Sequence, residues 1–500
     1  MAQTHMNQRN TVIEAPNALQ NWIAGLDRRA YALLIGLALG IAGGVIGLMI
    51  AVFGPLVPFA LVLGVLAALY IITDVRAALY GVIAVTLLLP FGTFPVRIGF
   101  TPTLLDLALA AFLTVYALQW ATGKRRNFRV TPVHALILLY MAWLVLAFAL
   151  GLRFAMPTST TLRQFAESLL SISMVFVLVD LLREPQALRR LVLVILCVAG
   201  AQAVIALALY VMPDDLAERT LVRLARIGYP NGGVIRYIED NPALAERAIG
   251  TWIDPNAFGG VLAMAASMIA PQLVAERPVL RSRWLTALVL GVVLLMLILT
   301  FSRASALAFA AGLTFIALVR YRKLLLLMLL AAALILALPQ TQGYVERFVD
   351  AFTAGDLATQ MRIGEYIDSL RLISQYPVFG VGFTGTPSIN LYTDVASMYL
   401  IMANEIGLVG VGLYLLAMGG VFAYGMASWR HVRNDPQLAA IHLGYHAALL
   451  TALVNGVADH YSFRMDFQGS ILLFWVVVAL ALASSRLTLE RVSAEAATSG

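Results

Sequence analysis

The sequence predicts an all-α polytopic membrane protein. Apolar residues make up 61% of the 500-residue chain and charged residues 12%, about half of the roughly 25% charged share of an ordinary soluble domain. Apolar runs of about 20 residues, the length that crosses a bilayer, recur along the chain. Basic residues gather in alternate connections between those runs. So little charge cannot cover a water-facing surface, which excludes soluble enzymes, nucleic-acid binders and secreted disulfide scaffolds. The single cysteine, Cys197, permits neither an intrachain disulfide nor a thiolate metal centre.

Residues 1–30 read as a polar tail on the inner side. Arg28-Arg29 stands directly before the first apolar run, and no small-residue cleavage site follows a short apolar core, so a retained helix is expected. The expected spans are 31–52, 55–72, 77–91, 104–121, 132–152, 165–182, 191–212, 256–274, 285–301, 304–319, 324–338, 395–426, 438–457 and 471–484. The runs 77–91, 304–319 and 324–338 are short, so about 12–14 helices are expected within a bundle over 31–484. Residues 485–500 form the second inner tail. With the N-terminus inside, 21 Lys and Arg fall in inner segments, and the short outer loops hold only Arg97, Arg153, Arg163, Arg303 and Arg464. This asymmetry supports both ends inside. The net charge of +7, from 32 Arg and two Lys, thus reflects topology.

Two outer segments, 213–255 and 339–394, are too long for turns and are expected to carry function or structure of their own. The first places Arg219, Arg223 and Arg226 on one helical face. The second shows Val345, Phe348, Val349 and Phe352, then Ile363, Tyr366, Ile367 and Leu370, at the spacing of amphipathic helices. Neither loop is a basic patch. The first has five Arg against seven acids and the second three against six. An anion site there must use individually placed arginines.

Charged groups within spans are rare and often functional. Asp106, Glu167 and Glu405 are expected near the outer ends of their spans, and Asp180 at an inner end. Each either pairs with an arginine to hold the bundle or belongs to a polar site. Arg303, in Thr300-Phe-Ser-Arg-Ala-Ser305, sits at an outward turn, where it either snorkels to headgroups or offers a fixed cation to a phosphate. Arg247 precedes Asp254-Pro-Asn256, where Asp254 or Asn256 suits a helix cap whose N-terminus favours an anion. Arg247 itself either binds that anion or pairs with Glu246 or Asp254. The run 395–426 is long for one span, and Asn404, Glu405, Gly407 and Gly410 suggest either a break lining a polar cavity or a long tilted helix. His460 is the one histidine expected on the outer side. Asp459-His460 reads either as an acid–base pair or as an aromatic-rich turn.

These motifs, in this order, resemble the bacterial O-antigen ligase and polysaccharide polymerase family of integral inner-membrane glycosyltransferases. Four segments carry the resemblance: Arg247-Ala-Ile-Gly-Thr-Trp-Ile-Asp-Pro-Asn256, Phe301-Ser-Arg303, Arg362 through Pro377-Val-Phe-Gly380-Val-Gly382, and Ser397-Met-Tyr-Leu400 with Glu405-Ile-Gly407-Leu-Val-Gly410. It covers about 240–415, and more loosely the Asp-His-Tyr segment at 459–461. It implies transfer of a glycan from undecaprenyl pyrophosphate to an acceptor hydroxyl at the periplasmic face, without metal or other cofactor. It implies a pyrophosphate site at Arg247 and Arg303, with Arg362 from the second loop. A flippase and a chain-length regulator are implied partners beside the bilayer, the carrier-linked glycan and the acceptor.

The chain departs from the ligase pattern in one place, with Ala396 where that motif has His. The departure leans toward polymerisation of O-antigen or exopolysaccharide, with ligation to lipid A core or to protein as alternatives. Asp394 is the nearest ionisable replacement for the base, followed by Glu405 and His460. A transporter is the alternative of another class, and it predicts a charged path reaching both faces.

Overall fold

The computed structural model describes residues 27–53, 74–94, 100–353, 357–385 and 395–499. It is almost wholly helical, as expected. Residues up to 73 form one compact unit and 74–500 a second. The first unit contains α1 (Arg28–Phe53), long and apolar, with Asp27 accepting a hydrogen bond from the Ala30 amide at its start.

The second unit begins with α2 (Val75–Leu88), α3 (Leu104–Ala121), α4 (Val133–Gly151), α5 (Ser159–Leu181) and α6 (Pro185–Val211). The first large loop holds α7 (Asp214–Val222) and a two-stranded hairpin, β1 (Arg236–Tyr237) and β2 (Glu246–Arg247). Four apolar helices follow: α8 (Pro255–Val274), α9 (Arg283–Leu299), α10 (Arg303–Val319) and α11 (Lys323–Ala337). The second large loop supplies α12 (Gln342–Thr353) and α13 (Leu357–Gln375). The chain ends in α14 (Met398–Val432), α15 (Ala439–Asn455) and α16 (Gln468–Ser499). Among the described residues, α3, α4, α5, α6, α8, α14 and α16 are long and apolar enough to cross a membrane, and α2, α9, α10, α11 and α15 are shorter apolar helices.

Helix starts follow from the capping residues. Thr103 and Asp106 form a reciprocal capping box on α3, and Thr158, Asp254, Ser282 and Ser302 cap α5, α8, α9 and α10. Pro185 and Pro255 occupy first helical positions, where no amide is needed.

The middle of α16 is apolar on every side, from Ile471 to Ala483, and is buried on every side. Small residues let the next layer close up. At Gly312 of α10 an added Cβ would lie 2.1 Å from Thr451 Oγ1 and 2.9 Å from Ser267 Oγ. Ser267 and Thr451 themselves share a 2.8 Å hydrogen bond, so α8, α10 and α15 meet at one point. By contrast α11 has no buried residue, and Leu326, Leu329 and Leu336 are more than 60% exposed, as suits a lipid-facing helix.

Three of the intramembrane acids hold the bundle together. Arg163 Nη1 reaches both Asp106 at 3.0 Å and Glu167 at 2.8 Å. Asp180, fully buried, accepts from Arg125, Arg183, Tyr116 and the Arg129 amide. A buried carboxylate persists only with such partners.

The structure shows the break in α14, at Gly407 (φ 70°, ψ 174°). The segment Pro377–Gly382 plugs it. Val381 N donates to Asn404 O, Gly382 N donates to Glu405 O, and Leu408 N donates to Pro377 O, each at 2.8 Å. Trp143 Nε1 donates to Ile406 O. The carbonyls of Asn404, Glu405 and Ile406 and the amide of Leu408, which the break releases, are thereby satisfied, as non-helical backbone at membrane depth requires.

Candidate active site

At one end of the second unit the two large loops and the last helix connection close a ring of polar side chains. Arg247 begins it. Strand β2 is tied to α9 by Ala248 N donating to Leu299 O. Arg247 Nε then donates to Thr300 O at 2.8 Å, and its Nη2 donates to Asn256 Oδ1 at 2.6 Å. Thr300 belongs to the turn that presents Arg303, and Arg303 Nη2 lies 3.5 Å from Thr359 Oγ1 on α13. Arg362, one turn further along α13, reaches Asp459 Oδ1 at 3.7 Å. Asp459 is followed by His460 and Tyr461, and the Tyr461 hydroxyl stands near enough to Asp254 and Asn256 to feel both side chains. The ring thereby returns to Arg247.

Local backbone geometry makes this convergence possible. The described residues contain four non-glycine positions with left-handed φ, and two of them are Ile253 and Phe301. They immediately precede Asp254 and Ser302, the caps of α8 and α10. Such strain persists only where the surroundings enforce it, and it concentrates at functional sites. The two helices run close together because Gly259 leaves no Cβ. An added one would lie 2.8 Å from Ser305 Oγ. Both N-termini therefore point into one region, and their dipoles favour negative charge there.

Asp459 is 3% exposed, and its Oδ2 has no hydrogen-bond partner. Burial pushes its carboxyl up from the ordinary 3.8 to about 7, against the pull of Arg362. His460 is half-buried. Its Nδ1 lies 3.1 Å from Val395 O. Only a protonated Nδ1 can donate to a carbonyl, so the neutral ring carries its lone pair on Nε2. Burial lowers the His460 pKa below its usual 6.5, which keeps the ring neutral at pH 7. Burial also holds the Tyr461 hydroxyl protonated, reinforced by the carboxylates of Asp254 and Asp459.

A stability experiment isolates the strain at Asp459. Its raised pKa means that the native state keeps the proton that the unfolded chain loses as pH rises from 3.8 toward about 7. Stability present at low pH is lost over that window. Asp459→Asn removes the ionisation. The variant is expected to match the wild type near pH 4 and to exceed it at pH 8 by about 1–3 kcal/mol. Thermal unfolding of both proteins across pH 4–8 reads this directly, and parallel curves would refute it.

The residues expected from sequence fall into three groups. Arg247, Arg303, Arg362 and His460 lie in or on the ring. Asp394 lies outside the described residues. Glu405 is half-buried, and its carbonyl accepts from Gly382. Among the described residues no arginine pairs with it, and it stands apart from the ring.

Position 396 is informative. Its amide donates to Glu365 Oε2 at 3.0 Å, and its carbonyl accepts from Tyr366 at 3.2 Å. Its neighbour Val395 holds His460. A histidine from the last helix connection thus stands beside the segment where the resemblance puts one.

From sequence, Asp459 is expected only as the neighbour of His460 in an acid–base pair and Asn256 only as a helix cap, and Glu365 and Tyr366 carry no expected site role. A signal exists for two of them. Glu365 and Tyr366 follow Arg362 by three and four residues and share its helix face. The hairpin carrying Arg247 has no strand-like alternation. Its turn uses Glu239 and Asp240 in left-handed conformation in place of the glycine or asparagine that usually marks such turns.

A family model described as O-antigen ligase matches residues 286–415. No curated protein matches the chain. The expected likeness to the O-antigen ligase and polymerase family is borne out over those residues, which include Arg303, Arg362, the Pro377–Gly382 plug and the break at Gly407. Arg247 and the Asp459–Tyr461 limb lie outside the match, and the contacts described above tie them to it.

Proposed function

We propose that this protein transfers a glycan from a polyprenyl-pyrophosphate carrier, undecaprenyl pyrophosphate by resemblance, to an acceptor hydroxyl at the periplasmic face of the inner membrane. The observation that carries the reading is the ring itself. It places three arginines from three separate segments, two helix N-termini and a neutral histidine at one end of an apolar bundle.

The roles follow from charge and geometry. Arg247 and Arg303 bind the pyrophosphate, with Arg362 beside them. The acceptor oxygen attacks the anomeric carbon, the bond from that carbon to the phosphate oxygen breaks, and the electron pair leaves with the pyrophosphate. Fixed cations stabilise the charge that develops there. The hydroxyl proton passes to Nε2 of His460. Asp459 positions Arg362. Ala396 in place of the ligase histidine supports polymerisation over ligation, with another carrier-linked glycan as acceptor.

The pH profile separates the two ionisations. Transfer is expected to rise with pH as His460 loses its proton below 6.5 and as Asp459 ionises near 7. Asp459→Asn leaves only the lower step. His460→Ala removes that step and slows transfer by about 100- to 10,000-fold. A lower step that survives in His460→Ala would assign the base elsewhere.

Glycan size profiles from the native host, with and without the gene, test the reaction, with carrier-linked and surface pools run separately. Single repeat units alone in the deletion strain support a polymerase. Long chains trapped on the carrier indicate a ligase. Unchanged profiles in both pools, with a second such gene excluded, would overturn the reading and favour a transporter.

A further inference from the structure

A cleft of about 840 Å³ opens between α8, α9, α10 and α11 at the end of the bundle opposite Arg303. Its walls are apolar and include Val274, Leu290, Leu294, Phe309, Leu313 and Leu327. Its one charged end is formed by Arg320, Arg322 and Lys323. These three cations differ in what they already do. Arg320 faces Glu276 at 3.4 Å, donates to the Arg433 carbonyl and stacks over Tyr321. Arg322 and Lys323 are exposed, and among the described residues neither has an acidic partner.

We propose that this cleft is a binding site for an anionic diacyl phospholipid, with the phosphate on Arg322 and Lys323 and an acyl chain lying along α10 toward Phe309. Two independent features support that occupant. The first is depth. Phe309 to Val319, the last residue of α10 before Arg320, is ten steps of one helix, roughly 15 Å at 1.5 Å per residue. One leaflet of hydrocarbon is about 15 Å deep, half of a ~30 Å core. The cleft therefore matches one acyl layer and ends where that layer ends. The second is charge complementarity. The cations stand at the end of the cleft where a headgroup would lie, as in basic pockets that select anionic lipids. An apolar surface that merely faces bulk lipid needs neither a cleft nor free cations at its rim. The exposed side chains of α11 leave the cleft's flank open to lipid. The site is separate from the polar ring and does not depend on the proposed reaction.

Native mass spectrometry of the full-length protein, presented with equal phosphatidylglycerol and phosphatidylcholine, tests the proposal. The wild type is expected to retain phosphatidylglycerol preferentially, by roughly fivefold for each unpaired cation. Arg322→Gln with Lys323→Gln, both exposed, is expected to retain the two lipids equally and to unfold at the wild-type temperature. Leu313→Trp, which fills the cleft, is expected to lose the retained lipid. Equal retention by the wild type, or an unchanged preference in the double variant, would overturn the site. So would displacement of the lipid by inorganic phosphate alone, which would make the cleft irrelevant. Preferential retention of an added polyprenyl phosphate would overturn the diacyl assignment.

Discussion

Arg303→Ala is expected to reduce glycan transfer by about 100- to 1,000-fold, the cost of removing one preorganised charge-stabilising group, while leaving the protein folded. Arg303 is the first residue of α10, and Ser302 caps that helix by accepting from the Ser305 amide. Removing the guanidinium leaves the cap and the Gly259 contact in place. The loss should therefore appear as rate and not as yield. Arg303→Lys sharpens the result. It keeps the charge and loses the planar fork that grips phosphate oxygens through two bonds, so it should recover only part of the rate.

Arg247 donates to the carbonyl of Thr300 in the same turn. The two arginines are thus expected to act as a unit, with the double alanine variant slower by less than the product of the single effects. The measurement is transfer by purified protein in liposomes with carrier-linked glycan as donor. Arg303→Ala retaining more than about a tenth of wild-type rate would remove it from the pyrophosphate site, because a lost preorganised donor costs more than that.

Gly407→Ala is expected to cost on the order of 4 kcal/mol, from left-handed strain together with the loss of several hydrogen bonds. The residue has φ 70° and ψ 174°, and an added Cβ would sit 2.0 Å from Val378 O and 2.3 Å from Val378 C. Those atoms are backbone and cannot swing aside. The Pro377–Gly382 plug would have to withdraw, releasing the carbonyls of Asn404 and Glu405 and the amide of Leu408. In a bilayer no water replaces those partners.

Gly412, five residues along the same helix, is the control. Nothing lies within 4 Å of its added Cβ, so Gly412→Ala should be neutral or stabilising by about 0.5–1 kcal/mol through lower chain entropy. Thermal unfolding in detergent compares the pair. Equal midpoints for the two variants would show that the break is not held by the plug.

Much of the site can be read from sequence because it is written in local chemistry. Arg303 beside Ser302, Asp254-Pro255 before an apolar run, and Pro377 with Gly380 and Gly382 after an amphipathic helix each announce a helix end. Other residues escape that reading. Asp459 is legible only as the neighbour of His460 until Arg362, almost a hundred residues earlier, is placed against it at 3.7 Å. Glu405 looks like a site residue because a charge within an apolar run is unusual. In the structure its carbonyl accepts from Gly382 in the plug, a main-chain contact that does not depend on the side chain.

The sequence by itself determined that this chain is an apolar helical bundle, where most helices start, and which arginines stand at helix ends. Those properties depend on composition, on runs of fixed length and on capping within a few residues. Only the tertiary structure decided that Arg247, Arg303, Arg362, Asp459 and His460 form one ring, that α14 is held open at Gly407, and that His460 leans on the segment beside Ala396. Those outcomes rest on contacts between segments far apart in the chain, made through close approach at Gly259 and Gly380 and through backbone bonds. Their partners are specified by packing and not by any local pattern of residues.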